Sequence, residues 1–131
     1  MKLRYKCSCG KVFDANESPN CPACNKPVEL VREGAIQIYR KGSPIGVAAG
    51  MGLYINGEAY GHIANTESIR LFLPYGSYNI HMTLGLTRHC EDIIVELSKD
   101  NPVAYLKAGI KMGFWRNTVK IEKSTKSEMP E

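Results

Sequence analysis

The stretch YKCSCGKVFDANESPNCPACNKP, residues 5–27, constrains this 131-residue chain more than any other. It puts four of the five cysteines within 18 positions, beside few large apolar side chains. A segment this short and this polar cannot fold on burial alone and needs covalent or metal cross-links. The spacing is Cys7-x-Cys9, an 11-residue gap, then Cys21-x-x-Cys24. A tetrahedral zinc site takes four such sulfur ligands, with Zn–S near 2.3 Å. Two close pairs on tight turns supply them, and only the gap between the pairs has to close as a loop.

The turn chemistry agrees. Gly10 follows the first pair, and Pro22 pre-sets a turn inside the second. Asn25 follows the second pair, where a knuckle places a residue at positive φ, a conformation Asn tolerates. Turns of this kind aim N–H groups at thiolates. With every position filled by protein, such a zinc keeps no open site for a substrate, which a catalytic zinc requires. A redox-active iron centre or dithiol is the competing reading, because tetrahedral sulfur ligation also suits iron.

CSCGKVF and CPACNKP resemble the zinc-ribbon and rubredoxin-like knuckle family over about residues 3–30. The first pair is one residue tighter than the usual C-x-x-C. The resemblance implies a small β-hairpin module with Cys7, Cys9, Cys21 and Cys24 holding one structural zinc.

Charge argues about partners. Residues 1–33 carry six basic and four acidic side chains, and four thiolates around Zn²⁺ add a net −2, so a loaded module is near neutral. A module that grips phosphates by counterion release has a clear basic excess. The longest apolar run, PIGVAAGMGLYI (44–55), is 12 residues, short of the roughly 20 needed to span a bilayer. The start MKLRYKCSCG lacks the apolar run of a secretory signal. Cytoplasmic residence without membrane insertion is the expectation, with reduced cysteines that bind metal.

From Gly34 onward the pattern is strand and turn. AIQIYRK (35–41) alternates, and SPIG (43–46) reads as a turn. MGLYI (51–55) runs into Asn56-Gly57, the strongest short hairpin signal. ESIRLFL (67–73) turns Ile69, Leu71 and Leu73 inward. LPYG (73–76) suits a type I turn, and SYNIHMTL (77–84) alternates Tyr78, Ile80, Met82 and Leu84. CEDIIVELS (90–98), VAYLKAGIKMG (103–113) and TVKIEK (118–123) are further strands. NKPVELVREG reads as the closing strand of the ribbon followed by a linker.

The expected organisation is mostly β: a Cys₄ zinc ribbon over 1–33, an antiparallel β-sandwich of about seven or eight strands over 34–123, and a polar tail over 124–131. LYINGEAYG, SIRLFLPYGSYNIHM and IIVEL, within residues 50–97, resemble the PEGA-type β-sandwich repeat. Gly61-His62-Ile63-Ala64 stands where that family often has Thr-Pro after the second glycine. The resemblance implies an accessory or interaction module without catalytic residues.

Few other residues suggest chemistry. His81 faces away from the core, and His62 lies near a turn. His89-Cys90 pairs a thiol with a base, but neighbours along a strand point to opposite faces. Glu91-Asp92 are adjacent and diverge for the same reason. IGVAAGMG (45–52) matches neither dinucleotide-binding nor P-loop spacing and reads as a place where backbones approach. No enzyme is expected. One surface looks able to bind: Tyr105, Lys107 and Lys111 share a face, Phe114, Trp115 and Arg116 follow in a turn, and Lys120 points outward on the next strand. Such a face suits a protein partner first and single-stranded nucleic acid as the alternative.

Overall fold

A computed structural model of the chain describes residues 2–42, 50–84, 92–112 and 117–129. Among these described residues about 59% are strand, in ten strands and two sheets. β1 (Lys2–Lys6) and β2 (Val12–Asp14) flank the first cysteine pair. Then come β3 (Gly34–Arg40), β4 (Met51–Ile55), β5 (Glu58–Ile63), β6 (Ser68–Leu73) and β7 (Gly76–Leu84). β8 (Ile93–Leu97), β9 (Val103–Met112) and β10 (Asn117–Ser124) complete the set, before one 3₁₀ turn at Lys126–Glu128. Among the described residues no helix is long and apolar enough to cross a membrane.

One sheet has the order β10-β9-β3-β6-β1-β2 and the other β5-β4-β7-β8. Eight strands, β3 to β10, lie beyond residue 33, as the alternation predicts. Most ladders are antiparallel; β3 with β9 and β1 with β6 are parallel.

The core lies between the sheets and takes nine buried apolar side chains from each. Ile36, Ile38, Ile69, Leu71 and Leu106 face Met51, Leu53, Ile63, Ile80 and Met82, all at most 1% exposed. Alternate residues on a strand reach one face, so the period-2 pattern alone selects these side chains. Fully burying such a side chain contributes roughly 1.5–3 kcal/mol. Among the described residues none before Ile36 belongs to this cluster.

Asn56 (φ 51°) and Gly57 (φ 81°) form the expected hairpin turn between β4 and β5, with positive φ at both positions. Asn56 also ties that turn to β7, its Oδ1 accepting from the Asn79 N–H at 2.8 Å.

Two local expectations need correction. LPYG, read as a type I turn, is instead a bend at Tyr75 between β6 and β7, which belong to different sheets. Pro74 and Tyr75 carry the chain across the sandwich, and the Tyr78 hydroxyl donates to the Pro74 carbonyl at 2.6 Å to hold the corner. NKPVELVREG adds no ribbon strand. Only an isolated bridge between Asn20 and Pro27 forms, after which Arg32 stacks on Phe72 at 5.3 Å. SPIG lies outside the described residues.

Candidate metal centre

The first knuckle grows from the β1–β2 hairpin. The Cys7 N–H donates to the Lys11 carbonyl at 2.9 Å and the Gly10 N–H to the Cys7 carbonyl at 2.8 Å. Gly10 has φ 97°, a left-handed conformation that glycine adopts without penalty. The second knuckle repeats the design. The Cys21 N–H donates to Lys26, the Asn25 N–H donates to the Cys21 carbonyl at 2.8 Å, and Asn25 has φ 63° as expected. Lys26 Nζ donates to Ser8 Oγ at 3.2 Å and links the knuckles.

The four Sγ atoms all lie within 4.8 Å of one another. Cys7 and Cys24 approach to 3.5 Å, and Cys9 and Cys21 to 3.6 Å. Zn–S bonds of 2.3 Å at tetrahedral angles put neighbouring sulfurs about 3.8 Å apart. A disulfide needs about 2.05 Å. The cysteines are free thiols, close enough together to hold a metal ion. Cys7 and Cys21 are buried while Cys9 and Cys24 are exposed, so the cluster has a protein side and a solvent side.

The electrostatics point the same way. The Cys9 N–H, outweighing burial, draws the Cys7 thiol down to about 6. Burial raises Cys21, yet the N–H groups of Cys24 and Ala23 bring it below its ordinary value. Cys24 receives the Lys26 N–H, but burial and the three neighbouring sulfurs push it up to about 12. Fixed dipoles therefore favour thiolate at two corners while mutual repulsion keeps a proton at a third. A divalent cation supplies the charge that lets all four ionise. The donor set fits such an ion, and the chemistry of four sulfurs restricts it to a soft or borderline metal.

β1 also joins this segment to the sandwich. Lys2 and Leu3 pair with Ile69 and Arg70 of β6. The Arg4 guanidinium, 10% exposed, donates to the Tyr60 carbonyl at 2.8 Å and the His62 carbonyl at 2.7 Å, both on β5. Glu67 lies 3.8 Å from Arg4 and 2.9 Å from Lys2. Gly61, at φ 82°, passes directly beneath Arg4. Sequence reasoning missed Arg4, Gly61 and Glu67 as a unit, since Arg4 and its acceptors are 56 and 58 residues apart. The only signal was the second glycine of the hairpin motif.

The proposed binding face is only partly described. Tyr105 and Lys107 lie on the outward parity of β9, opposite Ser124 and Glu122 of β10. The backbone of Lys111 pairs with Thr118. Lys120 is 3.2 Å from Glu122, which also lies 4.0 Å from Lys41. Lys120, Lys41 and Lys107 together hold the Glu122 carboxyl below its ordinary value. The lysines therefore surround a carboxylate, which reduces the positive field that a phosphate chain would meet. Phe114, Trp115 and Arg116 lie outside the described residues, as do His89 and Cys90.

His81 faces outward, its Nδ1 2.6 Å from Asp92 Oδ1 and its ring edge-on to Tyr54. His62 is exposed, as expected. Gly52 sits beneath Thr83, whose Oγ1 is 2.7 Å from the place a Cβ would take. At this glycine the close approach is made by a side chain and not by another backbone. A comparison with protein-family models finds no match to the chain, and no curated protein matches it either.

Proposed function

We propose that the chain is a non-enzymatic zinc-binding protein, in which residues 1–33 form a structural zinc ribbon and the β-sandwich serves as a protein-interaction or scaffolding module. The observation that carries the reading is the convergence of four thiols, all within 4.8 Å of one another, on a segment whose described residues add nothing to the apolar core. When bound, the ion would supply the cohesion that burial does not. Cys7, Cys9, Cys21 and Cys24 would hold it. A first shell complete in protein sulfur serves structure, because catalysis by zinc needs a position open to water or substrate. The near-neutral loaded segment and the carboxylate amid the Lys107–Lys120 face favour a protein partner over nucleic acid.

Elemental analysis with thiol counting tests this. The expected result is one zinc per chain, with chelation releasing four thiols and leaving Cys90 independent of the metal. Iron in the purified chain, or a disulfide between the two pairs, would overturn it and make residues 5–27 a redox site.

A further inference from the structure

Two sheet edges meet where the cysteine segment attaches. β5 is the edge of the four-stranded sheet, and β6 would be the edge of the other sheet if β1 and β2 were absent. β1 covers both at once, through its backbone on β6 and through Arg4 on the carbonyls of Tyr60 and His62. Uncovered edges present rows of unpaired N–H and C=O groups and template pairing with another chain.

The joint that covers them is thin. The β1–β6 ladder has two residue pairs. Around Arg4 there are polar links from Lys2 to Glu67 at 2.9 Å and from Lys6 to Glu58 at 3.9 Å, Lys6 lies over the Tyr60 ring at 5.0 Å, and the Val12 side chain of β2 packs beside Gly61. Among the described residues of the segment none enters the core cluster. A cleft of about 200 Å³, lined by Arg4, Lys6, Val31, Tyr60 and Phe72 among others, is left between the two parts. β1 also runs directly into Cys7, so what holds the first knuckle to the second also holds the end of β1.

We propose that β1 is a metal-retained guard over the β5 and β6 edges, and that loss of the metal opens them to β1 of a second copy of this chain. The inference rests on the zinc-ribbon reading. The occupant follows from the fit already present. The same Lys2 and Leu3 would lie along Ile69 and Arg70, and the same guanidinium would reach the Tyr60 and His62 carbonyls. Exchange of an identical element between copies is a low-cost route to dimers. Oxidants attack ligating thiolates and chelators withdraw the metal itself, so metal occupancy would report the chemical surroundings as association state.

Sedimentation velocity and amide hydrogen exchange, on the full chain with metal content measured, test the proposal. Chelation is expected to raise the sedimenting mass with increasing protein concentration. It is also expected to speed exchange in β5 and β6 by about tenfold or more, leaving β4 and β9 protected. Arg4→Gln, with its metal retained, is expected to speed exchange at the same two strands. A chelated chain that keeps the mass and β6 protection of the loaded one overturns the guard while leaving the zinc ribbon standing. So does a fully metallated Arg4→Gln chain with unchanged exchange. A wild-type chain that takes up no metal overturns both readings.

Discussion

At the scale of single residues, Gly61 shows how one backbone conformation serves a contact between distant parts of the chain. Its φ of 82° lies in the left-handed region, and a Cβ there would collide with Arg4 Nη1 and stand 3.3 Å from Val12 Cγ1. An L-residue in that conformation costs about 1–2 kcal/mol. Displacing a guanidinium from its two carbonyls adds a comparable loss. Gly61→Ala is therefore expected to destabilise the chain by about 3 kcal/mol in denaturant titration. In an Arg4→Ala background the cost should fall to the backbone part alone. Equal costs in the two backgrounds would mean that Arg4 is not what requires the glycine.

Glu67 is the charged counterpart at this joint. Burial raises its pKa, but the hydrogen bond from Lys2, the Ala64 N–H and the charges of Lys2 and Arg4 outweigh it and hold the carboxyl below its ordinary 4.5. A depressed folded-state value means stability that is present above the unfolded value and lost as pH falls through the folded one. The wild-type chain should thus melt above Glu67→Gln at neutral pH, by an advantage of about 1 kcal/mol or less. That advantage should shrink only below pH 4.5. An advantage that is constant down to pH 3, or one that vanishes near pH 6, would exclude this carboxylate as the source.

At the scale of elements, what the sequence makes readable is what local rules encode. The cysteine knuckles depend on spacing, Gly10 and Asn25, all within a few residues, and the four thiols meet as their spacing predicts. Strands β3, β6 and β7 are readable because alternation sorts Ile36, Ile69, Leu71, Ile80 and Met82 to one face. What stays hidden is pairing between elements. Nothing local in KLRYK says that it will lie parallel to β6, because its two ladder partners are about 67 positions away. The Pro74–Tyr75 corner has the composition of a turn, and only the sharing of apolar strands between two sheets decides that the chain crosses instead. The basic face read from Tyr105 to Lys120 omitted Glu122, whose parity was available but whose tie to Lys41 depends on the fold.

At the scale of the whole molecule, two kinds of cohesion are joined in one sheet. The sandwich holds itself together by apolar burial between two faces, whereas the metal proposed at four sulfurs would hold residues 2–33 together, which attach chiefly through β1 and also through Arg32 on Phe72. Cooperativity follows shared buried contacts, so weakly connected regions open as separate units. Cys7→Ser removes a buried member of the four-thiol cluster and leaves every member of the core cluster in place. In a two-dimensional NMR spectrum of dilute protein, resonances of residues 2–30 are expected to collapse toward unfolded shifts. Those of β4, β7 and β9 should keep their dispersion. Shift changes in the sandwich should concentrate at Tyr60, His62, Ile69 and Arg70, the residues β1 touches. Loss of dispersion throughout β4 and β9 would show that the two-residue ladder and Arg4 couple the segment to the core more strongly than their number suggests. The cysteine cluster would then be a condition for folding the whole chain, rather than a clip and guard on one side of a self-sufficient sandwich.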